Sequence, residues 1–217
     1  MGIHDYKERG SMMTMDYIEE YSKLPTTCVS DALNGENAMD VSIKPLANYK
    51  VAGRAYTVKI PKGQNKELLR AIKEASEEDV LVIDAEDDTS KAIAGDFVLG
   101  MAKTLGIKGV VTNGVIRDIE DVINLDFPVF CKGTTISSGS KSDDGYSKRP
   151  ISCGGVVVNH GDIIVGDQDG VIVVPKEIEA ETLEKAKKKL QQDEERESRV
   201  SHNIDAIHEY IESVLSK

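Results

Sequence analysis

The stretch AGDFVLGMAKTLGIKGVVTNGVIRDIED, residues 94–121, holds an apolar helical run, a short β-branched run and the start of a second helical run. Read outward, helix SKAIAGDFVLGMAKTLG (90–106) is preceded by EDVLVIDAE (78–86), a short apolar run bounded by acids that suits a buried strand. Strand GVVTNG (109–114), helix DIEDVINL (118–125) and strand FPVFCKG (127–133) follow. Upstream, YKVAGRAYTVKI (49–60) alternates as a strand, and NKELLRAIKEA (65–75) has helical spacing at Leu68, Leu69 and Ile72. Alternating strands and helices predict parallel pairing through right-handed crossovers, hence an α/β class.

The flanks change style. MDYIEEYSKL and TTCVSDALNG (15–24 and 26–35) read as two short helices, the second capped by Thr26 or Thr27 and ended by Gly35. SCGGVVVNHGDIIVGDQDGVIVVP (152–175) is glycine-rich and β-branched, and the breaks NHGD and GDQDG predict tight turns between antiparallel strands of a β-rich second layer. Residues 1–14 read as a loose arm, 15–175 as the α/β domain, and 176–217 as two charged helices split near Ser198–His202. Helices so charged present one thin apolar face, which suits packing at a subunit interface.

Totals narrow the function. The 217 residues carry 27 basic and 38 acidic side chains, a net charge of −11, which argues against a nucleic-acid partner. No stretch approaches the roughly 18 apolar residues of a membrane span, and the first 20 residues lack a signal-peptide core. The three separated cysteines, Cys28, Cys131 and Cys153, read as buried free thiols of a cytoplasmic protein. The four histidines form no HExxH, and neither a Walker loop, a GxGxxG after a strand nor a GxSxG elbow occurs.

Asp96 and the pair Arg117–Asp118 carry the chemistry. Each has a plain reading: Asp96 as a first-turn acid, and Asp118 as a helix cap after the Asn113–Gly114 turn. Yet loops at the carboxyl ends of neighbouring parallel strands gather on one sheet edge, where α/β proteins bind ligands. There a helix N-terminus and Arg117 suit a carboxylate, and the two acids suit a hard cation that keeps several waters.

At these residues the chain resembles the RraA-like family, which includes class II 4-hydroxy-4-methyl-2-oxoglutarate aldolases and regulators of ribonuclease E activity. The aldolase pattern is Asp, twenty residues, then Arg-Asp, matched here by Asp96, Arg117 and Asp118. VSDAL (29–33), IKPL (43–46), VAGRAYTV (51–58), FPVF (127–130) and GDIIVGDQDGVIVVP (161–175) extend the resemblance over about residues 20–200. It implies a swivelling β/β/α domain with C-terminal helices, assembled as a homotrimer or hexamer with sites at interfaces.

The resemblance also implies roles. Asp118 would ligate Mg²⁺ or Mn²⁺, and Arg117 would hold the substrate carboxylate. Gly95, Asp96, Phe97 and Val98 would offer backbone amides to a pyruvyl group, with Asp96 also ordering water for proton transfer. Lys141 falls where the family places a pocket lysine, and Glu194, Glu195 or Glu197 of a neighbouring subunit would complete the site. Asn113 stands where relatives carry Asp, removing one negative charge near the metal, and Ala94 stands where they often carry Trp. The activity implied is carbon–carbon cleavage next to a 2-oxo acid through pyruvate enolate, as an aldolase or an oxaloacetate decarboxylase. The alternatives are a protein-binding regulator of a ribonuclease and a catalytically silent member.

Overall fold

Val80, Leu81, Val82 and Ile83 have no polar neighbour among them because both faces of their strand are covered: Leu81 and Ile83 enter one core, Val80 and Val82 another. In the computed structural model, which describes residues 15–141 and 145–216, the order is α1 (Tyr17–Ser22), α2 (Thr26–Ala32), β1 (Lys44–Pro45), β2 (Val51–Lys59), α3 (Lys66–Glu74), β3 (Asp79–Asp84), α4 (Asp96–Thr104), β4 (Gly109–Thr112), α5 (Ile119–Asn124) and β5 (Val129–Cys131). Then come β6 (Tyr146–Ser147), β7 (Ile151–Cys153), β8 (Val156–Val158), β9 (Ile163–Gly166), β10 (Val171–Val174), a 3₁₀ turn (Lys176–Ile178), α6 (Glu179–Val200) and α7 (Ile204–Leu215). The arm expected over 1–14 lies outside the described residues.

The main sheet runs β1-β5-β4-β3-β2-β9-β10, with β6 on the far end of β2. The pairs β2–β3, β3–β4 and β4–β5 are parallel, as the strand–helix alternation requires. The α3, α4 and α5 side is filled by Leu68, Ile72, Leu99, Ala102 and Val122 against the strands. Across the sheet, Ile151, Cys153 and Val158 of the β7–β8 hairpin pack on Val80, Val82, Val111 and Phe130. A third core seats α1, α2 and α6 on β9 and β10 through Tyr21, Val29, Leu183 and Ala186. The buried hydroxyl of Tyr21 donates to the Glu179 carbonyl at 2.7 Å, and Glu179 pairs with Arg54, which ties α6 to β2.

Three expectations change. The helix read over 90–106 begins only at Asp96, since Ala92 and Ile93 form bridge-like backbone bonds with Ser137, Gly139 and Val115 instead. β9 and β10 extend the main sheet rather than forming a second layer: the first four residues of the nine-residue β2 pair with β9. GDQDG therefore turns one antiparallel pair, β9–β10, whereas NHGD joins two strands that do not pair. Thr26 and Thr27 do not cap α2, whose N-cap position is Pro25. Thr26 instead donates to the buried Asp167 carboxylate from N (2.9 Å) and Oγ1 (2.6 Å), and Asp169 N adds a third donor at 2.9 Å. Asp167→Ala leaves those donors without an acceptor and is expected to lower unfolding stability by about 2–3 kcal/mol in urea titrations.

All three cysteines are free and buried. Burial pushes the Cys153 thiol up to about 12 and the Cys131 thiol up to about 11, and raises Cys28 also. Thiolate, the reactive form, is therefore scarce at pH 8. The native protein is expected to leave all 3 cysteines unmodified by a thiol reagent at pH 8 and to release them together on unfolding. A fast-reacting native thiol would contradict this packing.

Candidate active site

Loops leaving the carboxyl ends of β3, β4 and β5 carry the candidate residues. Arg117 N donates to the Ala94 carbonyl at 3.0 Å and Ile93 N to the Val115 carbonyl at 2.9 Å, so the β3–α4 and β4–α5 loops are laced side by side. That lacing brings residues 21 positions apart in the chain into one place. Gly95, Asp96, Phe97, Val98, Arg117, Asp118 and Lys141, the residues expected at the site from within one chain, line a single cavity of about 280 Å³.

Its floor is the start of α4. Gly95 occupies the N-cap position and no side chain caps the helix, so the amides of Asp96, Phe97 and Val98 keep the unpaired donors of a helix N-terminus. Those amides and the helix field favour an anion. Gly95 is where the loops come closest. A methyl group built on it would sit 2.1 Å from Asp118 Oδ2 and 3.2 Å from Arg117 Nε and Cγ. Glycine is thus required by the approach of these two side chains.

Asp118 stands at the N-cap of α5, but in the left-handed region at φ 59°, and its side chain caps nothing. This corrects the plain capping role. A non-glycine residue held there is uncommon, and the conformation aims the carboxylate at its neighbour rather than along the helix. Oδ2 lies 3.2 Å from Arg117 Nε, with both side chains partly exposed. Lys141 is exposed at the rim, on a segment pinned by Ser140 N to the Gly63 carbonyl (2.7 Å) and Asn65 N to the Ser140 carbonyl (2.9 Å).

One expectation does not carry over. Asn113 is buried away from the cavity: its Oδ1 accepts from Ala85 N at 2.7 Å and its Nδ2 donates to Asp84 Oδ1 at 3.1 Å. Its neutral amide stitches β4 to the loop after β3, a job its donor nitrogen performs and a carboxylate could not. Glu194, Glu195 and Glu197 are exposed on α6, which packs on α1 and α2, and none of them lines the cavity of its own chain.

Asn65 was not foreseen. It precedes α3 at the N-cap position, where an Asn reads simply as a cap, yet it makes no capping bond. Instead it lines the cavity, and its Oδ1 is buried without a hydrogen-bond partner. Such an atom is costly unless a ligand donor reaches it. Ser138 and Gly139 complete the wall and had no sequence signal beyond their nearness to Lys141.

The donor set suits a hard divalent ion. Among the described residues no three His, Cys, Asp or Glu side chains cluster as ligands. Mg²⁺ asks less: one or two carboxylates, with waters and substrate filling the rest. Asp118, with Asp96 at the same cavity, supplies that many oxygens.

Taken together, these features define an α/β protein whose candidate site forms where strand-end loops meet a free helix N-terminus. The chain belongs to the Aldolase/RraA family, whose RraA-like description matches residues 26–173. It is 52% identical over 206 residues, covering 94% of this chain and 98% of the other, to a protein of Halalkalibacterium halodurans provisionally named a 4-hydroxy-4-methyl-2-oxoglutarate aldolase. Its fold is similar to that of RraAS2 from Streptomyces coelicolor, described as an unusual member of the RNase ES inhibitor RraA protein family. That similarity has 25% identity and a TM-score of 0.78, covering 86% of this chain and 99% of that one. The RNA-processing inhibitor RraA from Thermus thermophilis is also similar, at 25% identity and a TM-score of 0.66 over 70% of this chain and 93% of that one. No helix among the described residues is long and apolar enough to cross a membrane.

Proposed function

We propose that the protein is a divalent-metal-dependent lyase that cleaves a carbon–carbon bond next to a 2-oxo acid, releasing pyruvate by way of its enolate. The observation that carries this reading is the meeting of free α4 amides, Arg117, Asp118 and Asp96 at one cavity. The aldolase name of the relative at 52% identity supports it. Substrates of this class are 4-hydroxy-4-methyl-2-oxoglutarate and oxaloacetate.

Arg117 binds the substrate carboxylate, with the α4 amides beside it, and so fixes the 2-oxo acid in one orientation. Positioning of this kind removes several kcal/mol of the barrier. Asp118, with Asp96 nearby, would hold Mg²⁺ or Mn²⁺, which when bound supplies Lewis-acid polarisation of the 2-oxo group. Asp96 orders the water that takes the proton from the distal hydroxyl. Electrons of the breaking bond pass to pyruvate, and a proton delivered through the same water completes the product. Oxaloacetate loses CO₂ by the same route without the hydroxyl step. Lys141 offers positive charge at the rim, where a second carboxylate would enter. We place the enzyme in the cytoplasm as a homotrimer or hexamer.

Pyruvate release from both substrates, followed with Mg²⁺ and then with excess chelator, tests the proposal. Chelation is expected to remove at least about 99% of turnover, and metal readdition to restore it. Unchanged turnover in chelator would reject the metal requirement. The structural relatives described as ribonuclease inhibitors, and the net charge of −11, favour a second reading as a regulator that binds a basic partner. Capture of a ribonuclease by a protein without lyase activity would select it.

A further inference from the structure

The candidate active site has a side chamber. It is a second cavity, of about 110 Å³, between α3 and the start of α4. Asn65, Phe97, Val98 and Lys141 line both cavities and so form the passage between them. Beyond that passage the walls are Leu69, Ile93 and Met101. Ile93 is buried, and Val98 and Met101 pack against the core it belongs to, which holds the walls in place. Among the residues lining the chamber, Lys141 alone is charged, and it stands at the exposed rim.

We propose, resting on the lyase reading above, that this chamber receives an aliphatic branch longer than methyl on C4 of the 2-oxo acid, so that Leu69, Ile93 and Met101 set substrate preference. With the C1 carboxylate on Arg117, the substituents of C4 are the first groups to reach beyond the pyruvyl unit. A carboxylate on C4 stops at Lys141, because going deeper strips its water with no donor to replace it. An alkyl chain gains by leaving water. Size sets its length: an apolar cavity of about 150 Å³ stays dry and takes benzene, so this smaller chamber suits about three or four carbons. A methyl leaves most of it empty, and oxaloacetate, whose C4 is the departing carboxylate, has no branch to offer.

The preferred class is therefore the 4-alkyl-4-hydroxy-2-oxo acids with a propyl-sized branch. Cleavage breaks the C3–C4 bond. The hydroxyl proton leaves to the water ordered by Asp96, and the oxygen's electrons form the new carbonyl at C4. The pair of the broken bond passes to pyruvate enolate, which takes a proton at C3. From 4-hydroxy-4-propyl-2-oxoglutarate the products are pyruvate and 2-oxopentanoate.

Two unreactive acids test the chamber apart from the chemistry. 2-Oxopentanoate and 2-oxoheptanoate place methyl and propyl on C4 and lack the 4-hydroxyl that cleavage needs. Titration calorimetry on the full chain with Mg²⁺ present is expected to show 2-oxoheptanoate binding about tenfold tighter, since each buried methylene is worth about fourfold in affinity. Leu69→Phe and Met101→Phe fill the chamber, and each is expected to erase the difference. Leu105→Ser lies on the open groove between α3 and α4, outside the chamber, and is expected to keep it. Equal affinities in the parent, or a preference that survives in a folded filling variant, overturn the inference. So does a preference lost in Leu105→Ser, which would seat the branch in the groove. Circular dichroism checks folding, and if one filling variant misfolds the other decides. In pyruvate release, kcat/KM for the 4-propyl substrate is expected to exceed that for 4-hydroxy-4-methyl-2-oxoglutarate by about tenfold; a preference for the methyl compound overturns the inference. No pyruvate from either, with the binding difference intact, rejects the lyase reading and leaves the chamber's selectivity standing.

Discussion

Arg117→Ala and Asp118→Ala are each expected to reduce kcat/KM for pyruvate release by about a thousandfold or more, with little change in thermal midpoint. Both side chains are partly exposed and serve no core, so their loss is not a folding defect. In the proposed reaction, Arg117 holds the carboxylate and Asp118 would hold the divalent ion, which would supply Lewis-acid polarisation of the 2-oxo group. Charge grows on the 2-oxo oxygen in the transition state, where a single stabilising group is worth about 10²–10³ in rate, and Arg117 contributes by fixing the substrate's orientation. Removing Arg117 also leaves Asp118 without its 3.2 Å partner, which adds to the effect. Arg117→Lys should recover little, because an ammonium cannot make the paired contacts of a guanidinium. Steady-state kinetics with both substrates measures this; variants within tenfold of the parent would remove these residues from the reaction.

Gly95→Ala is the more pointed substitution, since it adds one methyl group and removes nothing. The methyl would lie 2.1 Å from Asp118 Oδ2, so the carboxylate and the neighbouring guanidinium must move. Displacement of positioning groups by about 1 Å costs on the order of a hundredfold in rate, and that loss in kcat/KM is expected here. The clash falls on side-chain ends rather than backbone, so the fold should persist. Gly100→Ala, five residues along the same helix, meets nothing closer than 3.8 Å and serves as the control with kinetics near the parent. Equal behaviour of the two variants would mean that Gly95 is not where the two loops converge on the site.

Much of this was legible in the residues. The apolar run at 80–83 and the β-branched run at 109–112 predicted buried parallel strands, and both pair as such. The spacing of Asp96 and Arg117–Asp118 named three residues that meet, because strand-end loops of adjacent parallel strands have nowhere else to gather. The illegible parts have physical causes. The helix before Asp96 was overextended because Ala92 and Ile93 are apolar at helical spacing, yet their backbone groups are claimed by Ser137, Gly139 and Val115, far along the chain. Thr26 looked like a cap, but Asp167, 141 residues away, competes for its hydroxyl. Asn65 carried no signal of its own, and only its place on the cavity wall marks it. Asn113 looked like a lost charge at the site, whereas its amide is spent on Asp84 and Ala85. At Ala92–Ile93, Thr26 and Asn113 a long-range partner overrode a local preference, and short-range patterns carry no record of such partners.

A crystal soaked with Mn²⁺ and pyruvate tests the central claim most directly, with anomalous scattering to locate the metal. One manganese peak is expected at the Asp118 carboxylate, with the pyruvate carboxylate on Arg117 and the amides that open α4. Manganese and pyruvate bound apart from each other, or a pyruvate that leaves Arg117 and α4 untouched, would contradict it.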